Sequence, residues 1–476
     1  MTGPAPVPRP WPAPYAPGPV DATVTLPGSK SLTARYLVLA ALAEGPSVLR
    51  GALRARDTEL MVAALRALGA DITVPAGSAG RTSPGALRVA PAGPDVGLAG
   101  TEMRVEPGAL RPAPAGLDVG LAGTEIRVEP GALRPAPAGL DVGLAGTVMR
   151  FVPAVAALAP GWTRFTGDAA AARRPIEPLL RALEQLGIAV QRTPGATLPF
   201  AVLGRRHLPG GSVTLDASAS SQFLSALLLA APRFTQGLAV RLEPARLPSR
   251  PHVAMTLAAL RAFGASASEP SPDNNTWRVA SGGLTGRDIG IEPDLTNAAP
   301  FLAAAVATGG TVRIEGWPAT TTQAGALMLD YLMAFGATPT LTGGTLAVTG
   351  TGPIQGVDLD LADAGELAPT VAALAALATS ASHLGGIGHL RGHETDRLAA
   401  LACEINRLGG RAQVVADGLT IRPAPLHGAH LATYGDHRMA MFGAVAGLRV
   451  KGVVLEDIGV TTKTFPGFAA AWAGLV

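Results

Sequence analysis

Short, alanine-rich apolar segments recur along the chain and predict six buried helices. Each segment is apolar on all sides, which is typical of a helix enclosed by other elements. The predicted helix starts are Ser31, Thr147, Ser221, Asn297, Pro369 and His437. Once 46 repeated residues are left out of the count, these starts lie 68 to 76 residues apart. The spacing predicts six units of similar length.

A second series of helices alternates with the buried ones. A glycine directly after an apolar helix is a common C-terminal cap. It occurs at Gly69, Gly187, Gly264, Gly336, Gly409 and, more weakly, Gly474. Runs with β-propensity, such as residues 311–315, follow the buried helices. The N-terminal run 21–26 is expected to complete the sixth unit together with a C-terminal helix at 468–476.

These elements predict an α/β protein of six βαβαββ-like units in two lobes of three. The first lobe is expected to span residues 29–291. The second combines residues 1–28 with 292–476. The chain would therefore cross between lobes twice, near 27–29 and near 292–294.

Three near-copies of a 23-residue unit fill residues 85–107, 108–130 and 131–153. The first two copies differ at three positions, which indicates a tandem expansion. Such an array is consistent with a solenoid, but the Pro-Gly breaks favour a loop excursion. Only the third copy runs into an apolar helix, at 148–158. We therefore expect residues 85–130 to loop out and the third copy to occupy the structural position.

The composition of the chain argues against several classes of function. A net charge of +3 and 4% aromatic residues provide neither a basic stripe nor stacking platforms, so nucleic acid is not an expected partner. No apolar run reaches the roughly 18 residues of a membrane span, and no signal peptide is recognised. The single Cys403 excludes an internal disulfide, and the histidine spacings indicate no metal site. We expect a cytoplasmic protein.

Charged and polar residues stand at the starts of the predicted buried helices. Only three lysines occur among 38 basic residues, and Lys30 lies at the first helix start beside Arg35. Helix N-termini carry unpaired N–H groups and a partial positive charge, so ends that meet in a gap between lobes would bind anions. A solvated loop lysine is the ordinary alternative for Lys30.

Other candidate anion ligands lie near helix starts or outside helices. Arg174 precedes a proline, and Lys463 lies outside any amphipathic face. Surface charges or salt-bridged helix starts are the alternative interpretation for several of these groups. The remaining candidates are Gly146 and Arg150, Ser220-Ser-Gln222, Glu366, His393-Glu-Thr-Asp-Arg397 and Asp436-His-Arg438.

Taken in order, seven of these motifs resemble the enolpyruvylshikimate-phosphate synthase family. They are Pro27-Gly-Ser-Lys-Ser-Leu-Thr-Ala-Arg35, Leu144-Ala-Gly-Thr-Val-Met-Arg150, Arg174-Pro-Ile176, Ser220-Ser-Gln-Phe223, Glu394-Thr-Asp-Arg397, Gly435-Asp-His-Arg-Met-Ala-Met441 and Lys463-Thr-Phe-Pro466. The resemblance implies a two-lobed inside-out α/β barrel. It also implies transfer of the enolpyruvyl group of phosphoenolpyruvate to the 5-hydroxyl of shikimate 3-phosphate, without a cofactor or metal.

The resemblance also implies residue roles. Glu366 would be the base for the hydroxyl, and Glu394, with Lys30 nearby, would handle the proton at the methylene carbon. Phosphoenolpyruvate would be held by Lys30, Gly146, Arg174, Gln222, Arg397, Arg438 and Lys463. Shikimate 3-phosphate would be held by Lys30, Ser31, Arg35, Ser220, Ser221, Gln222, Ser249, Glu366, His389 and His393.

The sequence departs from the family pattern at some positions, and it is compatible with other functions. Ala34 stands where the family usually has asparagine, and His393 replaces a lysine. The related UDP-N-acetylglucosamine enolpyruvyl transferases use a loop cysteine, whereas Cys403 lies in a predicted helix. A non-catalytic anion-binding or nucleic-acid-binding protein is the alternative function. We expect a monomer, and expect the repeats to weaken inhibition by phosphonates such as glyphosate.

Overall fold

A computed structural model of the chain describes residues 10–74, 89–90, 124–136, 138–244, 247–270 and 275–476. For residues 89–90 only the backbone is described. Two elements that alternate along the chain, helices and short strands, account for most of these residues.

The described residues contain twelve α-helices, of which the odd-numbered ones are central and the even-numbered ones lie further out. They are α1 (Lys30–Leu42), α2 (Arg56–Ala67), α3 (Gly146–Ala156), α4 (Glu177–Gln185), α5 (Gln222–Ala230), α6 (Arg250–Ala262), α7 (Leu295–Thr308), α8 (Met328–Ala334), α9 (Ala368–Leu377), α10 (Arg397–Arg407), α11 (His437–Gly447) and α12 (Phe468–Ala473).

The six central helices are the predicted buried ones, and each begins within two residues of its predicted start. Every residue of α3 and of α11 is buried. Helices α1, α3 and α5 contact one another, as do α7, α9 and α11. The segments that are apolar on every side are therefore helices enclosed by neighbouring helices and sheets, as predicted.

Glycines follow the outer helices as the sequence predicts. Gly69, Gly187, Gly264, Gly336 and Gly409 all adopt left-handed backbone conformations with φ between 79° and 114°. Glycine reaches this region without the steric cost of a Cβ. Gly474 differs, since its φ is −74° and α12 ends without the left-handed residue.

The described strands are short. They are β1 (Trp11–Pro12), β2 (Asp21–Val24), β3 (Ser47–Ala52), β4 (Asp71–Thr73), β5 (Val89–Ala90), β6 (Thr124–Glu129), β7 (Leu140–Asp141), β8 (Gly161–Thr166), β9 (Ala189–Arg192), β10 (Phe200–Gly204), β11 (Gly211–Leu215), β12 (Leu238–Leu242), β13 (Ala267–Ser268), β14 (Thr276–Val279), β15 (Asp288–Gly290), β16 (Thr311–Glu315), β17 (Ala337–Thr342), β18 (Thr345–Gly350), β19 (Asp358–Asp360), β20 (Ser382–Gly385), β21 (Arg411–Val415), β22 (Gly418–Arg422), β23 (His430–Leu431) and β24 (Val454–Leu455).

These strands form six separate sheets, and within the described ranges none closes into a barrel. The strand orders are β15-β3-β6-β4, β7-β8-β10-β9, β11-β12-β14-β13, β17-β18-β16-β2-β5, β19-β20-β22-β21 and β1-β24-β23. Each contains one parallel pair followed by antiparallel neighbours. The unit β7-α3-β8-α4-β9-β10 shows the predicted βαβαββ order.

Two units exchange a strand. Elsewhere the strand before a central helix pairs in parallel with the strand after it, as β7 does with β8. By contrast β2, which precedes α1, pairs with β16, and β15, which precedes α7, pairs with β3. The expectation that residues 21–26 complete the sixth unit is therefore wrong. That role belongs to β1, whose Trp11 pairs with Leu455 of β24.

The repeats are used differently from the prediction. The third copy leads into α3, as expected. The expectation that all of 85–130 loops out is wrong, because β6 from the second copy pairs with both β3 and β4. Its side chains alternate, with Ile126 and Val128 buried and Arg127 exposed. Residues 89–90 also pair with β2. Residues 91–123 lie outside the described part of the chain.

Buried apolar side chains form two cores. One draws on residues 32–291 and the other on residues 16–26 and 295–475. We call these parts of the chain the first and the second lobe. The two crossings run side by side, since the Ser29 N–H donates to the Glu292 carbonyl at 2.8 Å and the Asp294 N–H to the Pro27 carbonyl at 2.8 Å.

Candidate active site

The starts of the central helices meet where the lobes touch. Asp294 caps α7 through the N–H groups of Thr296 and Asn297, and its other oxygen accepts the Lys30 N–H of α1 at 3.0 Å. One carboxylate thus joins a helix start from each lobe. Several N-terminal helix ends directed at one region give it a positive potential.

Glu394 is the point at which cations from both lobes converge. Its carboxylate accepts from Lys463 Nζ at 2.8 Å and from Arg397 Nη2 at 3.0 Å, and it lies 4.0 Å from Arg174 Nη1 of the first lobe. The side chain is 8% exposed. Burial alone would raise the pKa of Glu394, but Lys463, Arg174 and Arg397 hold it well below its ordinary value. The lysine that contacts Glu394 is Lys463, whereas Lys30 was the lysine expected near it.

Glu366 is the second carboxylate of the site. It lies in the turn before α9 and accepts a short hydrogen bond from Arg438 Nη2. Burial favours the neutral form, yet the charges of Arg438 and Lys30 keep the pKa of Glu366 well below its usual range. Lys30 also lies 3.7 Å from Asp57. Lys30, Arg174, Arg397, Arg438 and Lys463, here called the basic cluster, thus surround two carboxylates.

A cavity between the lobes opens onto part of this cluster. The predicted residues Lys30, Ser31, Glu366 and Arg438 line it. Three further lining residues belong to motifs or helix starts named above, although no role was predicted for them: Ser29, Asn297 and Thr464. The sequence did not indicate the other lining residues with polar or long side chains as site residues, and these are His252, Met255, Asp294, Thr296 and Gln323. Asp294 carried the signal of a helix cap, whereas His252 begins an ordinary amphipathic helix and carried none.

Arg35 is buried behind the cavity. Its guanidinium donates to Thr256 Oγ1 at 2.8 Å and to the carbonyls of Ser31 and His252 at 2.9 Å each. It is 1% exposed, stacks over Phe151, and is not among the cavity-lining residues. Burial lowers the pKa of Arg35 to about 9. Arg35 thus binds the backbone of Ser31 and His252, which line the cavity, without lining it itself.

The first-lobe part of the site is tightly packed. A Cβ on Gly146 would lie 2.7 Å from both terminal nitrogens of Arg174. Arg150, one turn further along α3, donates to Gln222 Oε1 at 2.8 Å. Gly146, Arg174 and Gln222 are thereby tied together, although they come from separate parts of the sequence.

Two histidines adjoin the carboxylates. The rings of His389 and His393 lie 5.7 Å apart, and His393 Nδ1 is 3.2 Å from Arg397 Nη1. Burial, and secondarily Arg397, holds the pKa of His393 well below its ordinary value. Both influences favour the neutral imidazole of His393.

The three predicted serines are less closely connected to the basic cluster. Ser220 Oγ accepts the Gln222 N–H at 3.3 Å, and Ser221 lies buried at the start of α5. Ser249 adopts a left-handed conformation before α6, and its N–H donates to the Ala362 carbonyl of the other lobe at 3.0 Å.

Buried polar atoms without hydrogen-bond partners gather at the same place. Among the described residues they include Nε of Arg174 and Arg438, Oδ1 of Asn297 and Oγ1 of Thr464. Buried polar groups are nearly always satisfied in folded proteins. A cluster of unsatisfied groups beside a cavity is typical of a site that binds a polar ligand.

Comparison with known proteins agrees with this geometry. The family model described as EPSP synthase (3-phosphoshikimate 1-carboxyvinyltransferase) matches residues 14–126 and 118–472. The chain belongs to this family. EPSP synthase relatives include the 3-phosphoshikimate 1-carboxyvinyltransferases of Kocuria rhizophila, 52% identical over 98% of this chain and 96% of the relative, and of Mycobacterium ulcerans, 49% identical over 98% of each chain.

Solved structures share the EPSP synthase fold at lower identity. EPSP synthase from Acinetobacter baumannii superposes with a TM-score of 0.73 at 23% identity, covering 98% of each chain. The enolpyruvyl transferase NikO from Streptomyces tendae gives 0.71 at 16% identity over 98% of each chain. The enolpyruvyl transferase fold predicted from the resemblance is confirmed, as six sheets around central helices.

The part of the chain that the structure describes contains no helix both long and apolar enough to cross a bilayer. Within the same ranges, no group of three or more His, Cys, Asp or Glu side chains is arranged to hold a metal ion.

Proposed function

We propose that the chain transfers the enolpyruvyl group of phosphoenolpyruvate to the 5-hydroxyl of shikimate 3-phosphate and releases phosphate, a step of the shikimate pathway towards chorismate and aromatic amino acids. Family membership supports this assignment. The observation that carries it is the pair Glu366 and Glu394, held between the lobes within the basic cluster. No observation favours the alternative of a non-catalytic binding protein.

Electrostatics explains why such a site needs so many cations. Both substrates carry phosphate and carboxylate groups and repel each other in water. Five cationic side chains fixed by the fold offset that repulsion and hold the reacting atoms together. Because Arg174 comes from the first lobe and Arg397, Arg438 and Lys463 from the second, productive binding requires both lobes.

The two substrates use overlapping parts of the site. We assign phosphoenolpyruvate to the basic cluster together with Gly146 and Gln222. We assign shikimate 3-phosphate to residues of both lobes, namely Lys30, Ser31, Ser220, Ser221, Gln222 and Ser249 of the first and Glu366, His389 and His393 of the second. Arg35 acts on this substrate by fixing Ser31.

The proton transfers follow from the two carboxylates. Glu366 accepts the proton of the 5-hydroxyl as its oxygen bonds to the central carbon of phosphoenolpyruvate, and Glu394 delivers a proton to the methylene carbon. Glu394 then takes a proton back from that carbon while the carbon–oxygen bond to phosphate breaks, and the proton held by Glu366 passes to the departing phosphate, so that both carboxylates return to their starting states. Each step uses side chains and substrates alone, and the protons balance.

Substrate binding also prepares the carboxylates for this work. The cations that lower the pKa of Glu366 and Glu394 are the ones assigned to substrate phosphate and carboxylate groups. As substrate anions take up these cations, both carboxylates lose stabilising partners and bind protons more readily. Proton transfer becomes favourable only once the substrates are in place.

We further propose that residues 29–291 and residues 1–28 with 292–476 form the two lobes, joined at the paired crossings; the two separate cores support this division. We also propose that the protein acts as a cytoplasmic monomer.

Phosphate release by the purified chain tests the function. Phosphate should form only when both substrates are present, in a one-to-one ratio with the enolpyruvyl product. Release from phosphoenolpyruvate alone would indicate a phosphatase, and no release by folded protein would refute the proposal.

A further inference from the structure

We propose that Glu404, in the middle of α10, is a positioning residue that fixes the loop carrying Arg438 into the site. This inference rests on the proposed function. Glu404 lies two turns beyond Arg397 on the same helix and belongs to none of the motifs described above.

Glu404 is a buried carboxylate devoted to one loop. It is 0% exposed and accepts the Tyr434 hydroxyl at 2.6 Å, the Ala432 N–H at 3.2 Å and Arg407 Nε at 3.0 Å. A buried charge is costly unless several donors satisfy it. Two of its three donors belong to residues 432–434, immediately before the start of α11.

The same loop is held a second time by the same helix. Residues seven apart lie on one face of a helix, about 10.5 Å apart along its axis. Arg397 accordingly binds the loop through Asp436, with Nε–Oδ2 and Nη2–Oδ1 distances of 2.8 and 3.2 Å. Helix α10 therefore clamps residues 432–436 at two points, by Glu404 and by Arg397.

The loop requires such a clamp. Tyr434 has φ of 56°, a conformation that is unfavourable for a residue other than glycine. Asp436 then caps α11 through the Arg438 N–H at 2.9 Å, and Arg438 reaches Glu366. If the contact between Tyr434 and Glu404 were lost, the start of α11 would move, and the Arg438 guanidinium that faces Glu366 would move with it.

The acid limb of the pH dependence of kcat/KM shows whether Glu404 positions Arg438 or only stabilises the fold. Glu366 acts as a base only when ionised, and Arg438 keeps its pKa low. Moving Arg438 away would raise the pKa of Glu366 and shift the acid limb of kcat/KM to higher pH. The other groups facing Glu366 are Lys30 of α1, His252 of α6, His393, and Arg397 of α10. None of these is bound to Glu404.

The experiment compares full-length wild type with Glu404→Leu, Glu404→Gln and Tyr434→Phe. We expect Glu404→Leu to lower kcat/KM for phosphoenolpyruvate about 30-fold and to move the acid limb to higher pH, because a buried charge-assisted anchor is lost. Glu404→Gln, which keeps an acceptor, should recover most of this. Tyr434→Phe removes one hydroxyl at a half-exposed position and should give a smaller shift in the same direction.

Leu346→Ala in β18 is the matched control, since it opens a cavity in the same lobe core away from the loop. It should lower thermal stability and leave the acid limb in place. An active wild type whose Glu404→Leu and Tyr434→Phe variants keep both KM and the acid limb would overturn this inference alone. A folded wild type without transfer activity would overturn the proposed function itself.

Discussion

The two lobes contribute to the site in different ways, although both are built from three similar units. The first lobe supplies Lys30, Arg174 and Gln222, and its Asp57 carboxylate lies 3.7 Å from Lys30. The second lobe supplies both central carboxylates as well as three cations. In the proposed mechanism both lobes bind substrate anions, whereas only the second also transfers protons.

This difference predicts that neither lobe alone would catalyse the proposed reaction. Arg174 meets Glu394 only across the boundary, and the Lys30 N–H meets Asp294 only there. The strand exchange of β2 and β15 ties the lobes at the crossings. Variants that affect one half should therefore change binding and chemistry separately.

The largest effect is expected from removing the acid–base group of the second lobe. Glu394→Gln keeps the shape but cannot transfer a proton to carbon, so kcat should fall by about 10³. The measurement is steady-state phosphate release with both substrates saturating. Glu315→Gln, an exposed glutamate of the same lobe, is the control. A variant that keeps more than a tenth of wild-type kcat would remove Glu394 from the mechanism.

Losing one cation from either lobe should act chiefly on binding. Arg174→Met in the first lobe and Arg438→Met in the second should each lower kcat/KM about 100-fold, as expected for a buried charged hydrogen bond. Arg438→Met should also shift the acid limb upward, because Arg438 lowers the pKa of Glu366. Equal acid limbs in the two variants would contradict the assignment of separate roles.

A smaller effect is expected at Gly146. A methyl group there would press on the Arg174 guanidinium, the flexible end of a side chain that can shift. Gly146→Ala should therefore raise KM for phosphoenolpyruvate about tenfold and change kcat little. Gly18→Ala, where an added Cβ meets nothing within 4 Å, is the matched control. An unchanged KM would show that Arg174 does not set phosphoenolpyruvate affinity.

The smallest effect on turnover is expected from shortening the repeats while keeping β6. Deleting residues 78–123 retains all of β6, whereas deleting 85–130 removes it from between β3 and β4. We expect the first deletion to preserve kcat within about twofold and the second to lower thermal stability, since a paired, half-buried strand is lost. Inhibition constants for glyphosate, measured on wild type and on the 78–123 deletion, test the proposed effect on inhibitors. Equal constants would discard it.

Much of the fold follows from the sequence pattern. A fully enclosed helix is apolar on every side, whereas a strand with one buried face alternates between apolar and polar residues. Copy two and copy three of the repeat show this. Thr124–Glu129 alternates between apolar and charged residues and is a strand, whereas the equivalent residues 147–152 are buried on every side and lie in α3. The strand was missed because the Pro-Gly that follows it suggested a break.

The site was only partly predictable, for a physical reason. Charged residues at the starts of buried helices are conspicuous, because their burial needs a partner. His252 and Gln323 line the cavity through the packing of distant segments, which no local pattern encodes. The burial of Arg35 likewise depends on Thr256, 221 residues away in sequence.

A crystal structure with phosphoenolpyruvate and shikimate 3-phosphate bound tests the central claim most directly. The account predicts substrate oxygens within about 3.2 Å of Arg174 from the first lobe and of Arg397, Arg438 and Lys463 from the second. The 5-hydroxyl should lie within hydrogen-bonding distance of Glu366. Substrates bound to one lobe only, or outside the cavity between them, would contradict it.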